Sequence, residues 1–347
     1  MKILLYTDNH FCCHSSIVRE KGARYSKRLE NQIQSINWVE KVAEEYNCSK
    51  IICLGDFFDS PDLKSEELTA LTEIQWNKNI EHLFLVGNHE IGSKDNLYNS
   101  TQALSKYGKV ISKPSIDTGF GFEIIYLPYI VETDRKPLES YIKELQDDYY
   151  SGMFTTQEVK QRIILSHNDL AGIHYGQFIS KSGFLIDDIE KSCSLFINGH
   201  LHNQTQISKK ILNLGNLTGQ NFSEDGFKFS HCIGILDTDT LKIDLINNPY
   251  ALNFYKIDLT VSDASILDKC QNAVLTLRVP ESQIQDIREK IAKNNNILFS
   301  RIVSVPESAK VISVETVNTI DHIEKFKSYI IENIGSSDII LDELSKL

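Results

Sequence analysis

The 347-residue chain lacks two features that define large classes of protein, long apolar runs and paired cysteines. No stretch approaches the roughly 20 consecutive apolar residues of a membrane-spanning helix, so we expect no membrane association. The seven cysteines are scattered and include no CxxC pair, which argues against both a zinc ribbon and a disulfide framework. Free thiols are typical of a reducing compartment, and we expect a cytoplasmic protein without a signal peptide.

Basic residues are also fewer than acidic residues. There are 36 lysines and arginines against 47 aspartates and glutamates, which gives a formal net charge of −11 at pH 7. Such a chain repels phosphate polymers as a whole, so binding of nucleic acid would need a local patch, bound cations or a partner. One basic segment, residues 19–28, offers a patch, although a solvated loop that enters a helix explains it equally well.

The rest of the composition is that of a folded protein, with 41% hydrophobic and 24% charged residues. In the first ninety residues, apolar runs at 2–7, 50–54 and 81–86 alternate with helical patterns at 26–46 and 61–78. This order predicts a βαβαβ unit with parallel strands. Mixed strands follow from about residue 110. Two sheets packed face to face, with helices on both outer sides, are therefore the predicted architecture.

The character of the chain changes after Pro249. Apolar runs at 273–279 and 297–305 flank a polar helical pattern at 280–293, which predicts a small βαβ-like module. The last 28 residues carry apolar side chains three or four positions apart on both sides of Gly335, which predicts a helical hairpin. We therefore divide the chain into a large domain (1–250), a small module (251–306) and a hairpin (307–347).

Polar side chains of the kinds that bind metals follow five of the predicted strands. They are Asp8, His10, Asp56, Asn88, His89, His167, His200 and His202. Ligands of open α/β sheets gather at the carboxyl ends of the strands. Any one of these short strings can arise by chance, but five strand ends in this order predict one shared site.

A pair of divalent cations accounts for this set of side chains. Such a site needs one short carboxylate that bridges the ions, and neutral imidazole or amide ligands that leave the ions enough charge to polarise a phosphate. Asp56 suits the bridge. The mixture of oxygen and nitrogen donors favours manganese, iron or zinc over magnesium or calcium. Cys12 and Cys13 lie near His10 in the sequence as alternative soft ligands, but buried or loop thiols are the better explanation.

The order D-x-H, GDxxD, GNH(D/E), H, GHxH over residues 8–202 resembles that of the calcineurin-like metallophosphoesterases. Within them, the chain looks like the SbcD-type nuclease subunit of bacterial and phage DNA repair and recombination exonucleases. The narrower resemblance depends on the chain length, the segments 166–170 and 214–222, the module and the hairpin. It implies a four-layer α/β/β/α sandwich with a small α+β domain that caps DNA, and a hairpin that grips the coiled coil of an SbcC-type ATPase.

The resemblance also implies a role for each motif residue. The first ion is assigned to Asp8, His10 and His202, the second to Asn88, His167 and His200, and both ions to Asp56. His89 would lie beside the scissile phosphate, where an imidazole stabilises developing charge or assists the leaving oxygen.

Three positions depart from the pattern of the family without removing a ligand. Asp59 stands where some of the repair nucleases have a histidine, Glu90 replaces the commoner aspartate, and Asn216 replaces a serine. A second imidazole near the phosphate is therefore missing, and the resemblance does not specify which contacts the altered loops make with DNA.

We therefore expect a manganese-dependent phosphodiesterase that acts on double-strand DNA ends and on single strands, as an exonuclease with possible endonuclease action. An SbcC-type ATPase bound through residues 307–347 would supply much of the grip on DNA, and a homodimer is compatible with the resemblance. A small-molecule phosphatase or cyclic-nucleotide phosphodiesterase is the alternative, because the same metal cluster serves many substrates. A non-catalytic scaffold is disfavoured, since all seven ligand positions are filled.

Overall fold

The computed structural model describes residues 1–14, 17, 22–93, 98–119, 121–151, 161–175 and 178–306. The hairpin predicted at 307–347 lies outside the described residues. The strands are β1 (Lys2–Tyr6), β2 (Lys50–Cys53), β3 (Glu81–Leu85), β4 (Lys109–Ile111), β5 (Ser115–Gly119), β6 (Phe122–Leu127), β7 (Gln161–Ser166), β8 (Leu170–Ala171), β9 (His174–Tyr175), β10 (Phe178–Ile179), β11 (Phe184–Leu185), β12 (Leu195–Asn198), β13 (Thr205–Gln206), β14 (Ile211–Asn213), β15 (Cys232–Asp237), β16 (Lys242–Asn247), β17 (Asn253–Asp258), β18 (Ala273–Pro280) and β19 (Ile297–Val305). The α-helices are α1 (Lys27–Glu45), α2 (Ser65–Ala70), α3 (Leu138–Tyr150), α4 (Ile186–Ser192) and α5 (Ile284–Lys293).

Most of these strands form two six-stranded sheets. The first sheet has the order β16-β15-β1-β2-β3-β4, and the second has the order β13-β14-β12-β7-β6-β5. β1, β2 and β3 are parallel neighbours, so the βαβαβ unit predicted from the sequence is confirmed. Their carboxyl ends therefore lie at one edge of the first sheet. In the second sheet, β7 and β12 are parallel to each other, and their carboxyl ends likewise share one edge of that sheet.

Side chains that alternate along the strands build the layers. In β1, Ile3 and Leu5 lie in the apolar layer between the two sheets, whereas Leu4 and Tyr6 lie in the layer under α1. Residues of α3 and α4 cover the outer face of the second sheet. The molecule is therefore a four-layer α/β/β/α sandwich, as the sequence predicts.

The first helix begins where the sequence predicts, whereas the second helix is shorter than predicted. The Ser26 hydroxyl accepts a hydrogen bond from the Leu29 amide at 3.2 Å and caps α1. The helix predicted at 61–78 is reduced to α2 and a 3-10 turn that ends at Glu73. Beyond that turn, the amides of Gln75 and Asn77 donate to side chains of α1 (2.7 and 3.0 Å). These amides are therefore not available to continue a helix.

A third sheet follows the two large ones. β17, β18 and β19 are parallel, and α5 packs on one face with Ile287 buried. The other face lies against Ile17 and Phe222. The sequence predicts β18, α5 and β19 but misses β17. The domain boundaries at 250 and 306 stay a prediction.

Among the described helices, none combines the length and the apolar character needed to cross a membrane.

Candidate metal centre

The loops after β1 and β2 carry three of the predicted ligands and are locked to each other. The Asp8 amide donates to the Gly55 carbonyl at 3.1 Å, and the His10 amide donates to the Asp56 carbonyl at 3.0 Å. Asp8, His10 and Asp56 have left-handed backbone conformations, with φ of 50°, 46° and 48°. Such conformations cost about 1–3 kcal/mol each and persist only where the surroundings enforce them. The inter-loop hydrogen bonds are one such constraint.

Two glycines let the motif loops approach closely. A Cβ atom on Gly87 would lie 2.1 Å from Oδ1 of Asp56, and one on Gly55 would lie 2.4 Å from Nδ1 of His167. Gly55 also has φ of +123°, which side chains rarely adopt. The glycines that precede Asp56 and Asn88 are therefore required by the packing of the ligands themselves.

The first group of ligands consists of Asp8, His10 and His202. Nε2 of His10 lies 3.2 Å from Nε2 of His202, and Oδ1 of Asp8 lies 3.8 and 3.9 Å from these two nitrogens. No two of these three atoms are more than 3.9 Å apart, so one cation with ligand bonds of about 2.1 Å could contact all three. Oδ1 of Asp8 is buried without a hydrogen-bond partner in the described structure. A cation would satisfy this atom.

The second group consists of Asp56, Asn88, His167 and His200. Nε2 of His167 lies 3.2 Å from both Oδ2 of Asp56 and Oδ1 of Asn88, and Nδ1 of His200 lies 2.9 Å from the same amide oxygen. Oδ2 of Asp56 is also 3.8 Å from Nε2 of His10 in the first group. The Asp56 carboxylate thus lies between the two groups, where a bridging ligand must lie.

The electrostatics of the site favour positive charge. Burial alone would lower the pKa of His10, but hydrogen bonds to Asp59 and Asp8 and the charge of Asp56 raise this pKa to about 10. The pKa of His167 is likewise lowered by burial but raised overall to about 9, by Asp56 and Asp8. The clustered aspartates and histidines therefore fit divalent cations, and their two groups suggest two ions.

Three of the four imidazoles in these groups pair their remaining nitrogen with an acid. The pairs are His10 with Asp59 (2.9 Å), His200 with Asp169 (3.0 Å) and His202 with Glu224 (2.9 Å). A carboxylate in this position fixes the tautomer and the orientation of the ring, so that the other nitrogen presents its lone pair to the metal.

Two of these acids, Asp169 and Glu224, are not predicted from the sequence. Asp169 stands two residues after His167, inside a segment that was singled out as similar to the family, and this proximity was its only signal. Glu224 lies 22 residues beyond His202. No spacing rule connects the two, because the loop that carries Glu224 returns to the site only in the folded chain.

The three departures from the family pattern have structural explanations. Asp59 accepts from His10, as described above. Both carboxylate oxygens of Glu90 accept backbone amides, from Phe58 at 3.0 Å and from Gly87 at 2.8 Å. Burial and the charge of Asp56 raise the pKa of Glu90 to about 7. Asn216 donates to Glu224 at 3.1 Å. Asp59 and Asn216 thus connect to metal-site histidines, and Glu90 ties the GDxxD loop to the GNHE loop.

His89 differs from the other histidines of the site. Its side chain is 43% exposed, whereas His10 and His167 are buried. Its amide donates to Oδ1 of Asp56 at 3.0 Å, and Nδ1 donates to the carbonyl of Asp59 at 3.1 Å. This leaves Nε2 for an incoming group. His89 also forms a third group of close ligand atoms with His10 and Asp59. Its predicted role beside the scissile phosphate therefore stays a prediction.

A two-sheet sandwich with paired groups of aspartate and histidine at the strand ends suggests a metal-dependent hydrolase. The family model of the calcineurin-like phosphoesterases matches residues 1–204, and the chain belongs to this family. No curated protein matches the chain.

Three solved structures illustrate the similarity. An archaeal phosphodiesterase is 16% identical, with 71% of this chain and 99% of that chain covered and a TM-score of 0.36. The protein TT1561 of Thermus thermophilus is 12% identical, with coverage of 71% and 98% and a TM-score of 0.41. A dimetal phosphatase from Danio rerio is 12% identical, with coverage of 71% and 98% and a TM-score of 0.39.

Proposed function

We propose that the chain is a manganese-dependent phosphodiesterase that cleaves DNA at its ends, as the nuclease subunit of a complex with an SbcC-type coiled-coil ATPase. The observation that carries the catalytic part is the position of Asp56. Its Oδ2 lies 3.2 Å from His167 in one group of ligands and 3.8 Å from His10 in the other. One carboxylate shared by two groups is the arrangement that holds two cations close enough to act on one phosphate.

The residues of the chain divide the chemistry between them. Two divalent cations at this site would polarise a phosphate ester and lower the pKa of water. The seven predicted ligand residues would hold these ions. His89 is exposed and oriented by its bonds to Asp56 and Asp59. Because Nδ1 donates to Asp59, Nε2 would donate to a phosphate oxygen and stabilise charge there only when both ring nitrogens carry a proton.

The charge distribution supports a partner that helps to hold DNA. The chain carries a net charge of −11, and the described arginines of the basic segment are engaged within the protein. Arg24 pairs with Glu73 at 2.8 Å, and Arg28 donates to the carbonyl and the side chain of Gln220. An ATPase that binds residues 307–347 would supply the cationic surface that phosphate binding needs.

The decisive experiment is digestion of an end-labelled blunt duplex with manganese, magnesium or no added metal, with and without a candidate SbcC-type ATPase. We expect shortening of the duplex with manganese and a strong increase when the ATPase is present. A variant that lacks residues 307–347 should lose the increase and the binding of the ATPase. If only small phosphate esters are cleaved and the deletion changes nothing, the DNA assignment is wrong.

A pair of small esters separates the two enzyme classes. Bis-p-nitrophenyl phosphate reports phosphodiesterase activity, and p-nitrophenyl phosphate reports monoesterase activity. We expect the diester to be the better substrate in manganese. A strong preference for the monoester would favour the small-molecule phosphatase instead.

A further inference from the structure

A pocket of about 880 Å³ adjoins the metal centre, and His200 and His202 form part of its wall. This volume is in the range of sites that bind small organic molecules, about 300–1,000 Å³. Because two predicted metal ligands line the pocket, a group that occupies it lies next to the group that reacts at the metals. The pocket is therefore continuous with the site described above.

Part of the remaining wall is apolar and includes one aromatic ring. Ile173 and Ile207 are partly buried against the core of the second sheet, and Phe229 is half-buried at the same pocket. Phe229 belongs to none of the five apolar clusters formed by the described residues. An aromatic ring beside the metal centre that serves no core is available to contact a ligand.

The described wall of the pocket offers no cationic side chain to a phosphate group. The described residues that line the pocket include no lysine or arginine. Its one carboxylate, Glu224, is committed to His202, to Asn216 and to the Gln220 amide. The polar side chains that line it, such as Asn203 and Thr205, are uncharged, so a pocket of this kind suits an uncharged part of the substrate that still offers polar edges.

We infer that this pocket binds the nucleobase of the nucleotide that carries the scissile phosphate. A base offers an uncharged face that stacks on an aromatic side chain. The side-chain amide of Asn203 stands among the lining residues, as does Oε1 of Gln206, whose NH2 group already donates to the carbonyls of Ser208 and Ile211. Such amides recognise the polar edges of bases. This inference rests on the phosphodiesterase function proposed above and adds the recognition element for its substrate.

The test compares two esters with the same leaving group, thymidine 5′-(p-nitrophenyl phosphate) and methyl p-nitrophenyl phosphate, with the full chain in manganese. We expect kcat/KM to be at least about tenfold higher for the thymidine ester, because stacking on one aromatic contributes about 1–3 kcal/mol. Phe229→Ala should lose about tenfold on the thymidine ester and change the methyl ester less than about twofold. Phe229→Leu, which keeps apolar volume, should show the same selective loss.

A matched control is available two residues away. Phe227 is 46% exposed and packs on Tyr255, with ring centroids 4.7 Å apart, and it does not line the pocket. Phe227→Ala should leave both esters unchanged. As a readout independent of turnover, calorimetric titration of the manganese-loaded full chain with thymidine 5′-monophosphate should show weaker binding for Phe229→Ala than for the unmodified chain.

The outcomes separate the two proposals. If the unmodified chain cleaves both esters equally, or if Phe229→Ala affects both alike, the base pocket is overturned while the phosphodiesterase function stands. If neither ester is cleaved with manganese, the proposed function fails and the inference fails with it.

Discussion

The first sheet supplies the carboxylates Asp8 and Asp56, whereas the second sheet supplies the imidazoles of His200 and His202. Both carboxylates are buried and accept backbone amides, from His200 at 2.9 Å and from His89 at 3.0 Å. The two imidazoles are 18% and 30% exposed and are held by acidic side chains. Within this set of four ligands, the carboxylate half is thus held by main-chain amides, whereas the imidazole half depends on side-chain partners that a single substitution removes.

The largest effect is expected in the half that the main chain sets. Asp56→Ala should lose both ions and all measurable hydrolysis together, because it removes the carboxylate that lies between the two groups of ligands. Metal content after dialysis and turnover of bis-p-nitrophenyl phosphate check this. Asp244→Ala, at an exposed carboxylate of β16, is the control and should change neither. An Asp56 variant that keeps two ions would contradict the bridging role.

The next largest effect should separate chemistry from metal binding. His89→Ala is expected to retain both ions and to lose about 10²–10³ in kcat, which is typical of one lost group that stabilises the transition state. The same metal analysis and steady-state kinetics test it. Empty metal sites in this variant would show that His89 is a ligand, as its group with His10 and Asp59 allows.

A smaller effect is expected from the acids behind the imidazoles. Glu224→Gln and Asp169→Asn should each weaken manganese binding by about 10–100-fold, because an amide carries no charge and no longer enforces the tautomer that presents the other ring nitrogen to the metal. Calorimetric titration with manganese measures this without turnover. Asp225→Asn, next to Glu224 and with a side chain 43% exposed, should bind as the unmodified chain does. Unchanged affinity in both acid variants would remove the contrast between the two halves.

The smallest effect concerns the fold around the site. Glu90→Gln keeps the size of the side chain but replaces one acceptor for the amides of Phe58 and Gly87 with a donor. We expect a loss of about 1–3 kcal/mol in the free energy of unfolding, the usual cost of an unsatisfied buried group. Thermal unfolding followed by circular dichroism checks this, with Glu45→Gln on the exposed side of α1 as the control. Equal midpoints would mean that Glu90 does not stabilise the two loops.

The difference between ligands that stand at strand ends and acids that meet them only in space also explains which parts of the site could be predicted from the sequence. Asp8, Asp56 and His200 stand directly after apolar strands, so the strand pattern and the motif spacing together place them at one edge. Asp169 and Glu224 are defined only by the partner that they meet in space, and no local pattern marks them. β17 was missed for a similar reason, because its pairing with β18 is a property of the assembled sheet.

Chain order and spatial order differ in the first sheet. β15 begins at Cys232, beyond the last predicted ligand, yet it lies inside the sheet between β1 and β16. A fragment cut after His202 would keep every ligand but would leave one long flank of β1 without hydrogen-bond partners, and it would also lack Glu224. The shortest piece of this protein that can assemble its own site is therefore considerably longer than the stretch that contains the motifs.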